Sequence, residues 1–192
     1  MATQAQRSET TRNALLKAFR SSFLKRGYEA TTTQMILGET GLSKGALYHH
    51  FRSKTDIIEA IYEAESRAAI ERAVQSVDPT APPLERLRAA CLAWLTEVRT
   101  PGVAKILFDI GPSALGQSRA REIEDSYSLQ LLESLFREAV ERGDIAAADT
   151  KLAASLVNAL VAEAALYTLR TGTQSDDMFN RMMTGFFAAL KA

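Results

Sequence analysis

Residues 31–54 read TTTQMILGETGLSKGALYHHFRSK. Two short apolar-periodic runs meet at Gly41, a position suited to a tight turn between helices. Thr31 and Gln34 are spaced as a capping box that opens the first run. Ser43 is placed to cap the second. Ile36, Leu37, Leu42, Leu47 and Phe51 are the apolar set. Leu47 and Phe51 lie four residues apart, hence on one helical face. Ser43, Lys44, Tyr48 and His49 fall away from that face, and Gly45 and Ala46 are small enough to let a partner approach the backbone. This is the grammar of a helix-turn-helix, whose second helix can enter a major groove.

Outward from this stretch the period stays close to 3.6, and no long segment alternates with period two. Upstream, a helix from Ser8 or Glu9 carries Leu15, Leu16, Phe19 and Phe23, with Lys25 and Arg26 in its last turn and Gly27 as its stop. Downstream, the Ser53–Asp56 capping box opens a fourth helix that can run to about Val77. The prolines at 79, 82 and 83 break it. A fifth helix aligns Leu84, Leu87, Cys91, Trp94, Leu95 and Val98. A short helix over 103–110, a loop over 111–117 and a long helix over 118–142 follow. Asp149 or Thr150 caps the next helix, Gly172 and Ser175 mark a break and a cap, and a last helix follows. The expected class is all-α with about nine helices.

The chain has 192 residues, 46% of them hydrophobic and 24% charged, which fits a globular protein with a core of its own. One cysteine, Cys91, allows no internal disulfide. The polar start MATQAQRSETT does not read as a signal peptide, and Lys151 and Glu163 bound an apolar stretch shorter than a membrane span. A cytoplasmic location without membrane contact is expected. The formal charge of zero conceals an asymmetry: residues 1–58 hold nine basic and four acidic residues, net +5, and the remainder balances them at −5. A basic head on an acidic body points to a polyanion partner for the head. His49 and His50, the only histidines, are neighbours about 100° apart on a helix and poorly placed to chelate one metal. No phosphate loop, dinucleotide fingerprint or Cys/His cluster is present, so an all-α enzyme, a metal site and a cofactor find no motif.

The longer string GYEATTTQMILGETGLSKGALYHHFRSKTDIIEAIYE, residues 27–63, resembles the TetR/AcrR family of bacterial transcription regulators. Gly27-Tyr28, Thr31-Thr32-Thr33, Ile36, Gly41-Leu42-Ser43, Lys44-Gly45, Leu47-Tyr48-His49-His50-Phe51 and Ser53-Lys54 carry the likeness. It departs at Met35, Leu37 and Thr40, where an acid or alanine is common. The resemblance implies a three-helix DNA-binding domain over 1–55 and an effector-binding and dimerisation domain over 56–192. It implies a homodimer on a near-palindromic double-stranded operator. Carried over residue by residue, Thr32, Thr33, Ser43, Lys44, Gly45, Ala46, Tyr48, His49, His50 and Lys54 form the DNA-contacting set, with Tyr48 and Lys54 on phosphates.

For the body, the resemblance implies a pocket for an apolar or amphipathic effector, with Trp94, Phe108, Tyr127, Leu131, Phe136 and Glu163 as candidates. Ordinary core packing is the competing reading for each large residue. Glu163, inside the apolar run ALVAEAALY, has three outlets: the pocket, a partner across the dimer, or water at a helix edge. Leu156, Leu160, Tyr167, Phe179, Met183 and Phe186 on the last two helices suit an intersubunit four-helix bundle. The expected activity is a repressor released by a small molecule. A regulator without effector and an activator stay open as alternatives.

Overall fold

The computed structural model describes residues 3–146, 149–174 and 176–191. Among these residues the chain is helical and has no strand. Nine helices follow in order: α1 (Gln4–Arg26), α2 (Thr33–Thr40), α3 (Lys44–His50), α4 (Lys54–Gln75), α5 (Pro83–Glu97), α6 (101–115), α7 (Gln117–Glu141), α8 (Thr150–Thr171) and α9 (Asp176–Ala189). They form two compact units. The first holds Met1–Glu65 and Lys105–Ala120, the second Ser66–Ala104 and Arg121–Ala192. This division by compactness runs elsewhere than the proposed functional division at residue 55.

In the first unit α1 packs on α2 and α3. Leu15, Phe19 and Phe23 of α1 are fully buried with Ile36, and Leu47 and Phe51 are nearly so. Fully burying one such side chain contributes about 1.5–3 kcal/mol. Local chemistry sets the helix ends. α1 begins one turn earlier than the apolar period suggests, because Thr3 and Gln6 close a capping box. The cap of α2 is Thr32, not Thr31: Thr32 Oγ1 accepts from the Met35 N–H at 3.3 Å. Thr31 is buried, donating its hydroxyl to the Gly27 carbonyl and meeting Ser22 Oγ. Gly41 ends α2 at φ +67°, a left-handed conformation that a side chain disfavours. The Ser53–Asp56 box is formed, with Ser53 Oγ accepting from the Asp56 N–H at 3.0 Å.

The segment expected as a short helix and a loop is instead one helix, α6, built from Pro101–Lys105, a π-helical turn Ile106–Ile110 and Gly111–Leu115. The Gly111 N–H donates to the Ile106 carbonyl, five residues back. Pro112 has no N–H to give and would crowd the preceding turn of a regular helix. The wider turn accommodates it. Ile106, Leu107 and Ile110 are buried, the Tyr62 hydroxyl donates to the Leu107 carbonyl at 3.4 Å, and Lys105 Nζ donates to the Leu24 carbonyl at 3.0 Å. Arg119–Glu59 and Arg20–Glu65 ion pairs add to this unit.

In the second unit α5, α8 and α9 pack on one another. Leu87, Leu95, Phe136, Val157, Phe179 and Met183 are buried there. Phe136 meets Phe186 and Phe187 edge-on at 6.4 and 6.2 Å. Arg99 grips Asp176 with both guanidinium ends, one at 2.9 Å, and that hydrogen bonding holds the Asp176 carboxyl below its ordinary range. Phe179 and Met183, expected at a dimer interface, are buried in the core of this unit instead. Asp149 caps α8 through the Leu152 N–H at 3.0 Å. The expected cap Ser175 lies outside the described residues.

Candidate nucleic-acid interface and effector cavity

The face of α3 is set by a single anchor. Leu47 points into the core, so residues on the opposite side must face out. Ser43, Lys44, Gly45, Tyr48 and His49 are exposed, and Ala46 and His50 half-buried. Tyr48 keeps 47% of its surface in solvent, a large exposure for an aromatic ring. Lys44 Nζ lies 5.8 Å from the centre of that ring. Ser43 Oγ accepts from the Ala46 N–H at 3.1 Å and fixes the first turn. In α2, Thr32 is exposed and Thr33 half-buried. A short helix thus presents a cation, a hydroxyl-bearing ring, an imidazole and two small residues on one free face. Such a set can contact phosphates and base edges.

His50 differs from His49. Burial first, then the neighbouring His49 and the Arg12 guanidinium, hold its imidazole below its ordinary value, which favours the neutral ring.

Lys54 is less free than the sequence suggests. Its ammonium donates to the carbonyls of Tyr28 and Thr31 at 3.0 and 3.3 Å and lies 4.1 Å from the centre of the Tyr28 ring. Two of its three protons are thereby committed to the turn between α1 and α2. Both carbonyls lie between the helices, and the ammonium satisfies them, that of Tyr28 alongside the Thr31 N–H.

The second unit contains a cavity of about 70 Å³. Trp94 and Leu131 line it, and the other expected pocket residues do not. Phe108 belongs to the first compact unit. Tyr127 is half-buried on α7 but outside the lining. Phe136 is fully buried in the aromatic cluster. Glu163 is exposed and pairs with Arg170 at 2.6 Å. Water and this partner resolve the cost of a charge in an apolar run. Sequence reasoning missed Ile70, Val74 and Val161 on the apolar side and Ser66, Glu124 and Ser128 on the polar side. Helical period alone cannot say which of these positions border a cavity. Asn158 also lines the cavity, its amide nitrogen donating to Asp125 Oδ1 at 2.9 Å. So does Cys91, whose thiol burial pushes up to about 12, leaving it protonated.

Two family models match the chain. One, for bacterial regulatory proteins of the tetR family, covers residues 15–61. The other, for the tetracyclin repressor-like C-terminal domain, covers 84–188. The chain belongs to the TetR family.

Its relatives within that family include the HTH-type transcriptional repressor BepR of Brucella suis, 30% identical over 169 residues that cover 83% of this chain and 80% of BepR. The HTH-type transcriptional repressor KstR2 of Mycobacterium tuberculosis is 31% identical over 115 residues, covering 59% of this chain and 58% of KstR2, under two thirds of its length. A solved TetR-family regulator from Pectobacterium atrosepticum is 27% identical, with a TM-score of 0.71 over 98% of this chain and 94% of its own. A TetR-family structure from Mesorhizobium loti shares the fold at a TM-score of 0.72 and 20% identity, covering 98% of this chain and 97% of its own. The TetR head model spans α2 and α3 whole.

The last two helices of this TetR-family chain turn a second apolar set outward. Leu152, Leu156 and Tyr167 of α8 and Met178 and Met182 of α9 are exposed, and Leu160 and Phe186 are half-buried. Of the residues expected at an interface, Leu156 and Tyr167 are thus on the surface, whereas Phe179 and Met183 are not.

Proposed function

We propose that the chain is a transcription regulator that binds an operator duplex as a homodimer and represses from it. The outward face of α3, with Lys44, Tyr48 and His49 exposed around the Leu47 anchor, carries the reading. Each head would place α3 in a major groove, and dyad symmetry would match a near-palindrome. Phosphate contacts would supply much of the affinity and make it steeply salt-dependent. The names of the KstR2 and BepR repressors support repression as the outcome.

Release would be a population shift. An effector in the second unit's cavity would favour a body conformation whose head spacing does not fit the operator. α4, α6 and α7 each pass from one compact unit into the other, so they are the covalent routes for such coupling. A second reading, a regulator with no effector, draws on the cavity's size, since ligand pockets usually hold about 300–1,000 Å³. Polar groups among the apolar lining favour the first.

The test is a gel-shift titration on the near-palindrome nearest the gene, at low and moderate salt, with wild type and Lys44→Ala. Loss of about 1–3 kcal/mol of specific affinity and a changed base preference in the variant are expected. Equal binding to operator and scrambled duplex by wild type would overturn the reading. An effector that binds the body yet leaves operator affinity unchanged would overturn the coupling.

A further inference from the structure

Resting on the reading of α3 as a groove-binding helix, we infer that Arg12 of α1 is a further backbone anchor. It grips a duplex phosphate at the end of α3 away from Lys44. The guanidinium groups of α1 are not alike. Arg20 pairs with Glu65, and Arg26 with Glu39 at 3.4 Å. Arg12 is exposed and has no carboxylate within ion-pair reach among the described residues; Glu9, one turn earlier, makes no pair with it. Its charge is left for a partner from outside the chain.

Arg12 is nevertheless held in place. Its Cζ lies 5.4 Å from the centre of the Phe51 ring. Phe51 is buried and closes α3, its N–H donating to the Leu47 carbonyl at 3.0 Å. The guanidinium therefore rests on a fixed ring at the C-terminal end of α3. His50 reports the same position. Burial and His49 come first, and the Arg12 charge then adds to the lowering of its imidazole. Arg7 is exposed too, but among the described residues no ring or ion pair holds its side chain. Arg52, next to Phe51, acts on the Asp56 carboxylate. A guanidinium already settled on a ring loses less freedom on binding an oxyanion, and its planar fork suits a phosphate.

The spacing fits a groove. α3 runs Lys44–His50, seven residues, and is thus about 10 Å long. The major groove of B-DNA is ~12 Å wide. Lys44 at one end and Arg12 at the other are therefore spaced to reach the two phosphate walls while the face between them meets base edges. Such a contact fixes the head on the duplex and reads no sequence.

The full chain would be titrated by fluorescence anisotropy onto the near-palindrome nearest the gene and onto a scrambled duplex, across a series of salt concentrations. Arg12→Gln is expected to weaken binding to both duplexes by roughly tenfold. It should also lower the slope of log affinity against log salt by about one. Arg12→Lys keeps the charge and should keep the slope. A role confined to packing on Phe51 would lower the melting temperature and leave the slope alone, so an unchanged slope in Arg12→Gln overturns the inference. If that variant does not fold, phenylglyoxal modification of wild type, read by mass spectrometry, decides. Duplex is expected to protect Arg12 and to leave Arg137 of the second unit reactive; equal reaction of Arg12 with and without duplex overturns the anchor. If Lys44→Ala weakens operator binding while Arg12→Gln binds like wild type, the groove reading stands and the anchor falls. If wild type binds neither duplex at low salt, both fall.

Discussion

Lys54 shows how much a single side chain's surroundings decide. On the sequence it is one more cation in a basic head. In the fold it closes the turn between α1 and α2, donating to two carbonyls and lying over the Tyr28 ring. Lys54→Met should therefore cost about 1–2 kcal/mol of head stability, seen as a lower melting temperature without DNA. Unchanged melting with weaker operator binding would return Lys54 to a pure phosphate contact. His50 makes a different prediction. Its folded-state value lies below the ordinary 6.5, so the folded head binds that proton more weakly than the unfolded chain. Above 6.5 both states are neutral at this site and pH has no effect through it. As pH falls through that value the unfolded chain takes the proton first, and stability is lost. The melting temperature should drop from pH 7.5 to 5.5, and His50→Gln should flatten the drop. Asp56 acts lower. The Ser53 hydroxyl bond first, against a smaller opposing effect of burial, holds its carboxyl below 3.8, so this cap's contribution persists above that value and is lost only as pH falls further.

At the level of elements, legibility followed locality. α2, α3 and the start of α4 are marked by residues within four positions of one another, namely Ser43 with Ala46, Ser53 with Asp56, and Gly41 at its turn. The head was readable for that reason. The one-residue shift from Thr31 to Thr32 arose because Ser22, nine residues upstream, helps bury the Thr31 hydroxyl. α6 was misread for a non-local reason too. GPSALGQ has loop composition, yet Gly111 is used for closeness rather than for turning. A Cβ at Gly111 would overlap the Tyr62 ring. Gly111→Ala should thus destabilise by about 1–3 kcal/mol, since neither the ring nor the π turn can yield without disturbing packed neighbours. Tyr62→Leu in the same background should recover part of the loss. Gly111→Ala melting like wild type would show that the turn relaxes freely.

The whole molecule poses the question that periodicity cannot answer: whether an apolar face turns to its own core or to a second copy. Phe179 and Met183 share a stripe and were expected at the interface, but they are buried within the subunit. Their immediate neighbours Met178 and Met182 are 60% and 47% exposed. On α8 the exposed set is Leu152, Leu156 and Tyr167, interrupted by the Glu163–Arg170 pair. That helix is also the one described helix long and apolar enough to cross a membrane. Its inner face, however, packs on α5 and α9, and its outer face carries Lys151, Glu163 and Arg170. Charges along the outer face suit a wet-rimmed protein interface better than lipid, where each would need compensation. Exposed apolar patches of this kind mark association sites, and dyad symmetry would set the same patch of each copy against the other. Adjacent methionines then separate the two roles. Met182→Glu should leave melting of the monomer near wild type, convert the dimer to a monomer in sedimentation, and abolish operator binding at concentrations where wild type is saturated. Met183→Glu places a charge in the core and should lower the melting temperature sharply. A Met182→Glu protein that still sediments as a dimer would place the interface elsewhere, and one that unfolds like Met183→Glu would make α9 core on both faces.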